Sequence, residues 1–198
     1  DIKNHIPMNT KTRFRIASMT KPIPAVATLI LIEEGKLKLD DPIEKYLPLA
    51  SQISVALPDN QITDNTFATE PLKRSITILD LLTFSSGAGY NDSVDHKGQS
   101  KLANLWAEND IFDGFGSLED RVNKIMKLPF FEQPGERWRY GWSTDILARV
   151  IEVASQKPFS EFLEEKIFSP LDMDDTNFLS QENKDNEIAE VYTRNGTF

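Results

Sequence analysis

The chain has 198 residues, 39% hydrophobic, 27% charged and 10% aromatic, with no cysteine. That length suits one domain of ordinary size, or one domain plus a piece of another, and it suffices to bury roughly 70% of the unfolded surface. Disulfide scaffolds and thiolate-bound zinc are excluded, and His5 and His96 alone are too few for a histidine-built metal site. With 22 basic against 31 acidic residues and a net charge of −9, no basic face is available to meet phosphates, so no nucleic acid partner is expected. The longest apolar stretch, residues 23–32, falls short of the roughly 20 residues that span a bilayer. Asp1 opens without a charged region followed by an apolar one, so no signal peptide is read, and the compartment stays open between cytoplasm and periplasm or exterior.

Residues 1–17 are polar and end in the alternation Thr12-Arg13-Phe14-Arg15-Ile16-Ala17, an edge strand or extended lead-in. A helical pattern covers 18–34, with Ile23, Val26, Ala27, Leu29 and Ile30 at helical spacing and Gly35 as its C-cap. Pro22 fits a first turn, whereas Pro24 lies deeper and predicts a kink. Asp40-Asp41-Pro42 marks the start of a short helix through Tyr46. Residues 48–71 read as a long loop with turn signals at Pro58-Asp59-Asn60 and Asp64-Asn65. A short buried helix capped at Thr77 fits 75–82, followed by the loop Ser85-Ser86-Gly87-Ala88-Gly89. Residues 90–117 read as surface loops around a helix over 101–108. Three further helices are predicted over 118–128, 144–155 and 159–167, and the tail from Asp172 reads as polar loop. No repeat or domain linker interrupts the chain, and strands are few.

Ser18-Met19-Thr20-Lys21 is the first chemical candidate. Serine needs a base within hydrogen-bond reach to act as a nucleophile, and residues three apart on a helix share a face, which puts Lys21 beside Ser18. A helix start would also favour a developing anion at Ser18. The plain alternative is a capping serine and a solvated lysine, and the spacing arises about once by chance in a chain this long. Tyr140, set among Arg137, Trp138, Arg139 and Trp142, is a second candidate as proton carrier; its plain reading is a half-buried aromatic before a helix capped by Ser143. Ser143 in Gly141-Trp142-Ser143-Thr144-Asp145 is a rival nucleophile one residue short of a Gly-x-Ser-x-Gly elbow, but no histidine comes after it in the chain. His96-Lys97-Gly98, the sequons at Asn91 and Asn195, and the carboxylate pairs Glu33/Glu34, Asp40/Asp41 and Asp174/Asp175 read as solvent loops and caps.

Read together, these pieces resemble the serine β-lactamase and penicillin-binding-protein superfamily, most of all the family VIII carboxylesterases among the class C β-lactamase-like proteins. The matching segments are Phe14 through Pro22, Glu33-Glu34-Gly35-Lys36-Leu37 with Leu39-Asp40-Asp41-Pro42-Ile43, Ile76 through Thr83 with Ser86-Gly87, Pro134-Gly135 through Tyr140 with Leu147 to Glu152, and Pro170-Leu171-Asp172-Met173-Asp174-Asp175-Thr176. They occur in the family's order and cover most of residues 12–178. The resemblance implies an α/β (α+β) fold of the β-lactamase/transpeptidase type, mainly helical here because the flanking strands of the sheet would fall outside residues 1–198. It implies one partial domain over 1–198: the nucleophile region 1–47, a mostly helical part 48–170, and a return toward the sheet over 171–198.

The same resemblance makes Ser18 the acyl-accepting nucleophile, Lys21 its base, Tyr140 the proton shuttle and Trp142 a substrate-contacting residue. The Ser18 amide would form half of an oxyanion hole. It implies no metal or organic cofactor, a small ester or β-lactam-like substrate, and as a further partner only the remainder of a longer chain. Trp142 stands where β-lactamases carry asparagine, which favours the esterase branch; Phe84 replaces the usual histidine; and a Lys-Thr-Gly third motif is absent. Carboxylesterase activity is therefore the leading expectation, with β-lactamase or D-alanyl peptidase activity as the alternative. A non-catalytic truncated scaffold is the reading from another class, and the retention of Ser18, Lys21 and Tyr140 together argues against it.

Overall fold

The structure is a computed structural model and describes residues 2, 4–57, 68–90, 101–109, 111, 116–178, 188–193 and 196–197. Its organising element is helix α5, Ser143–Ser155, whose residues Ile146, Leu147, Val150 and Ile151 are fully buried. Around it pack α1 (Pro22–Glu33), α2 (Ile78–Leu82), α4 (Leu118–Met126) and α6 (Phe159–Leu163). A further helix, α3 (Lys101–Glu108), contributes Leu102 and Trp106 to the same core. The apolar set recurring at three- and four-residue intervals along α5 is what turns one stripe of it inward.

Two of the helices begin where the sequence can satisfy their unpaired amides. Thr77 and Asp80 form a reciprocal capping box at the start of α2, and Ser117 and Asp120 do the same for α4. Helix α1 starts later than the sequence pattern suggests. Residues 17–20 form a separate 3-10 turn, and α1 proper begins at Pro22. Pro24 therefore falls in the first turn, where its missing N–H costs no intrahelical bond, and the predicted kink is not needed. Its carbonyl accepts from the Thr28 hydroxyl at 2.8 Å. Val26 and Leu29, expected to face inward, are about half exposed; Ala27, Thr28 and Leu31 carry the buried face instead.

The predicted loop over 48–71 holds more order than its composition suggests. A 3-10 turn spans Pro48–Gln52, and β1 (Ser54–Ala56) pairs antiparallel with β2 (Thr69–Pro71), Val55 opposite Glu70. On its other side β1 exchanges bonds with Phe130, whose N–H reaches Ser54 O at 2.8 Å while Phe130 O accepts from Ala56 N at 2.9 Å. Buried Gln133 ties β2 and the turn after it to the segment ahead of α5: its oxygen accepts from Lys73 N at 2.9 Å and its amide nitrogen donates to Glu70 and to Pro71 O. The short helix expected through Tyr46 is a 3-10 turn, Ile43–Lys45, and the helix expected over 159–167 breaks after Leu163 into a π turn, Glu164–Phe168. Thr12–Ala17 is not a strand; only Arg13 bridges, to Ile188. Near the end of the chain the tail forms a small hairpin of β3 (Tyr192–Thr193) and β4 (Gly196–Thr197). The segments 58–67 and 91–100, with His96 and the Asn91 sequon, lie outside the described residues, as does Asn195.

Candidate active site

Ser18 sits in the 3-10 turn just ahead of α1, and Tyr140 sits just ahead of α5. Packing of α1 on α5 therefore carries the two turns together across 122 residues of sequence. The Tyr140 hydroxyl donates to Ser18 Oγ at 2.7 Å, and Lys21 Nζ donates to the same oxygen at 3.3 Å. Lys21 Nζ also lies 4.8 Å from the centre of the Tyr140 ring and 5.8 Å from that of Tyr90. One hydroxyl oxygen thus accepts from both a phenol and an ammonium.

The backbone is bent to achieve this. Ala17, immediately before Ser18, has φ +44, a left-handed conformation disfavoured for a residue with a β-carbon. On the other side, the loop Ser85–Gly89 passes so close to residues 132 and 141 that side chains are excluded. A β-carbon on Gly141 would lie 2.2 Å from Ala88 O, and one on Gly87, at φ +85, would lie 2.1 Å from Glu132 O. Beside this crossing Arg139 is held between its ion pair with Glu132, Nε to Oε2 at 2.6 Å, and the face of Phe131 at 4.6 Å.

Charge follows from the same contacts. Burial opposes the charge on Lys21, but hydrogen bonding to the oxygens of Tyr140 and Tyr90 outweighs it and holds the ammonium above its ordinary range. Tyr140 shifts downward because the Ser18 hydroxyl can donate to its phenolate, aided by Lys21 and against the effect of burial. Tyr90 shifts upward through burial, with Lys21 opposing. Burial likewise raises Asp145, in the first turn of α5, with the charges of Lys21 and Arg121 acting the other way.

Ser18 and Lys21 open onto a groove of about 640 Å³ whose walls are Pro24, Leu118, Trp142, Ala148, Phe159 and Phe178. Tyr90 and Asp145 line it as well. Of the four residues singled out from sequence, Ser18, Lys21 and Tyr140 meet directly; Trp142, only 3% exposed, sits behind them with its ring edge-on to Tyr90 at 4.9 Å. Ser143 does not serve as the rival nucleophile. It is fully buried inside the first turn of α5 and shares a 2.9 Å hydrogen bond with the Ser86 hydroxyl, with Trp142 in the N-cap position expected for it. Tyr90 and Asp145 escape a reading of the sequence; each is close in sequence to a recognised segment, but nothing in their spacing indicates that they face the groove. Among the described residues no group of His, Cys, Asp and Glu gathers as a metal site, and no helix is long and apolar enough to cross a membrane.

With a Ser-x-x-Lys turn, a tyrosine brought to it from a second segment and a mostly helical scaffold, the molecule has the features of a β-lactamase-type fold. The chain belongs to the beta-lactamase family, whose model matches residues 1–197. It is similar to esterase EstB of Burkholderia gladioli, 34% identical over 182 residues that make up 89% of this chain and 41% of EstB. It is also similar to the lovastatin esterase of Penicillium rubens, 31% identical over 82% of this chain and 39% of that protein. Among solved structures, EstCE1, described as a hydrolase with promiscuous acyltransferase activity, superposes with a TM-score of 0.75 at 25% identity, covering 97% of this chain and 46% of that one. The chain thus spans less than half the length of these relatives, and the expected family fold, reduced to its mainly helical portion, is the one observed.

Proposed function

We propose that the protein transfers acyl groups from small, largely apolar esters to water or to a second alcohol through an acyl-enzyme on Ser18. The observation that carries this reading is the three-way contact of Ser18 Oγ with the Tyr140 hydroxyl and the Lys21 ammonium at the edge of an apolar groove. The shifts of Lys21 upward and Tyr140 downward favour a division of labour different from the one the resemblance implies. Tyr140, ionised, takes the Ser18 proton as Oγ adds to the ester carbonyl; Lys21 stays charged and stabilises the phenolate. Collapse of the tetrahedral adduct breaks the bond to the leaving alcohol, which receives that proton from Tyr140. The incoming water or alcohol then gives its proton to Tyr140, attacks the acyl carbon, and Ser18 is re-protonated as it departs.

Esterase EstB, lovastatin esterase and EstCE1 supply support for ester chemistry over β-lactam chemistry. So does Trp142, whose buried indole carries no amide carbonyl to meet a β-lactam side chain. The test is fluorophosphonate labelling with peptide mapping, alongside hydrolysis of a short-chain p-nitrophenyl ester. Ser18 should take the label, and Ser18→Ala should abolish both signals. Tyr140→Phe should slow turnover by about 10²–10⁴-fold, the usual worth of a positioned proton carrier. Activity should rise toward alkaline pH with an inflection below the ordinary tyrosine value of 10.0. Turnover that survives Ser18→Ala would refute the reading.

A further inference from the structure

Helices α1 and α2 end in the same hydrogen-bond pattern but with different residues at its strained position. After α1, Gly35 takes φ +72, its N–H reaching Ile32 O, and Lys36 N–H reaches Leu31 O. After α2 the equivalent residue is Phe84 at φ +56, its N–H reaching Leu81 O, while Ser85 N–H reaches Asp80 O at 2.8 Å. This left-handed site is normally occupied by glycine, because a β-carbon crowds the backbone there. A bulky aromatic at such a position marks strain retained for a use elsewhere.

That use is visible in the contacts of Phe84. Its ring stacks on Tyr140, centroids 5.6 Å apart and planes 17° from parallel. Its carbonyl accepts from Arg139 N at 2.8 Å, one residue before Tyr140. Trp138 closes the stack, 6.2 Å from Phe84 and 6.3 Å from Tyr140, but is itself 66% exposed. Tyr90 touches the Tyr140 ring only edge-on, at 5.5 Å. Phe84 is thus the half-buried face against which the Tyr140 ring lies flat while its hydroxyl meets Ser18. We propose that Phe84 is a positioning residue, its left-handed backbone and its ring together fixing the Tyr140 phenol against Ser18. This rests on the reading that Tyr140 carries the Ser18 proton.

The decisive variants separate ring from backbone. Phe84→Gly relieves the left-handed strain and deletes the ring; Phe84→Leu keeps apolar bulk without a flat face; Phe84→Tyr restores the ring. The measurements are the rate of Ser18 labelling by a fluorophosphonate, the thermal midpoint, and the titration of Tyr140 followed by ¹³C NMR of labelled tyrosine. Phe84→Gly and Phe84→Leu should label about 10–100-fold more slowly, as small misplacements of a reacting group do. The midpoint of Phe84→Gly should equal or exceed that of the parent, Tyr140 should titrate at higher pH in both variants, and Phe84→Tyr should recover the parent rate. Labelling at the parent rate in Phe84→Gly or Phe84→Leu would overturn the proposal. If the parent itself takes no label on Ser18, the acyl-enzyme reading fails instead, and the Tyr140 titration alone decides: unchanged in Phe84→Gly, it overturns the positioning role.

Discussion

Replacing Asp80 with asparagine offers the sharpest test of how the helical frame is held. The Asp80 carboxylate is 7% exposed and accepts from Arg74 at 2.6 and 2.8 Å, from Thr77 N at 2.9 Å and from the Thr77 hydroxyl at 2.8 Å. Asparagine keeps the volume but removes the charge and presents an amide donor to a ring of donors. Weakening the Asp80 half of the capping box, with the Thr77 hydroxyl still accepting from the backbone N–H of residue 80, costs up to about 1 kcal/mol. Loss of the ion pair costs about 1 kcal/mol more, held to that figure because Arg74 is 47% exposed. Together these lower the thermal midpoint by up to about 8 °C for a chain of this size. Burial raises Asp80, but Arg74 and Thr77 outweigh it, so the folded value lies below the ordinary one of 3.8. The stabilisation is therefore complete above about pH 4 and is lost as pH falls through the folded value. Urea denaturation of Asp80→Asn and parent, followed by tryptophan fluorescence, should show a gap of up to about 2 kcal/mol at neutral pH that narrows in acid. No gap at neutral pH, or one that widens in acid, would refute the reasoning.

Two more expectations concern the site's surroundings. Ala17→Gly should leave stability unchanged or raise it by up to about 1 kcal/mol, relief of the φ +44 strain offsetting the extra freedom of the unfolded chain, while Ser18 labelling slows; a clear loss of stability in urea denaturation would contradict the strain assignment. Ser86→Ala and Ser143→Ala should each cost about 1–2 kcal/mol, since each breaks the buried 2.9 Å hydroxyl pair and Ser86→Ala also removes the acceptor of Ala88 N–H. The double variant should cost less than the sum, and strict additivity in the double-mutant cycle would show that the two hydroxyls are not coupled.

The sequence conveys local features better than distant ones. The cap at Thr77, the Gly35 C-cap and the helix over Lys101–Glu108 follow from residue types within one or two turns, and the structure has them as read. Strands β1 and β2 escape because three residues cannot display an alternation, and the burial of Val55 depends on Phe130, 75 positions on. The trio Ser18, Lys21 and Tyr140 is recognisable only as a set of family segments; periodicity places Lys21 beside Ser18 but says nothing of Tyr140. Phe84 stands out as a departure from the family pattern, yet its stacking on Tyr140 depends on a left-handed turn that no residue preference for phenylalanine would suggest. Pro24 shows the converse: its effect depends on where the helix starts, and the 3-10 turn before α1 moves that start.

The contact between Ser18 and Tyr140 spans two turns far apart in sequence, brought together where α1 lies on α5. A hydrogen bond of 2.7 Å tolerates little sliding of one helix along the other. Loosening α1 from α5 would part the Ser18 and Tyr140 hydroxyls while both helices stayed wound. If Ser18 acts as proposed, its reactivity is in that sense a gauge of helix docking, more sensitive than any measure of helix content, and substitutions far from the groove that soften this one interface would silence it without unfolding the chain.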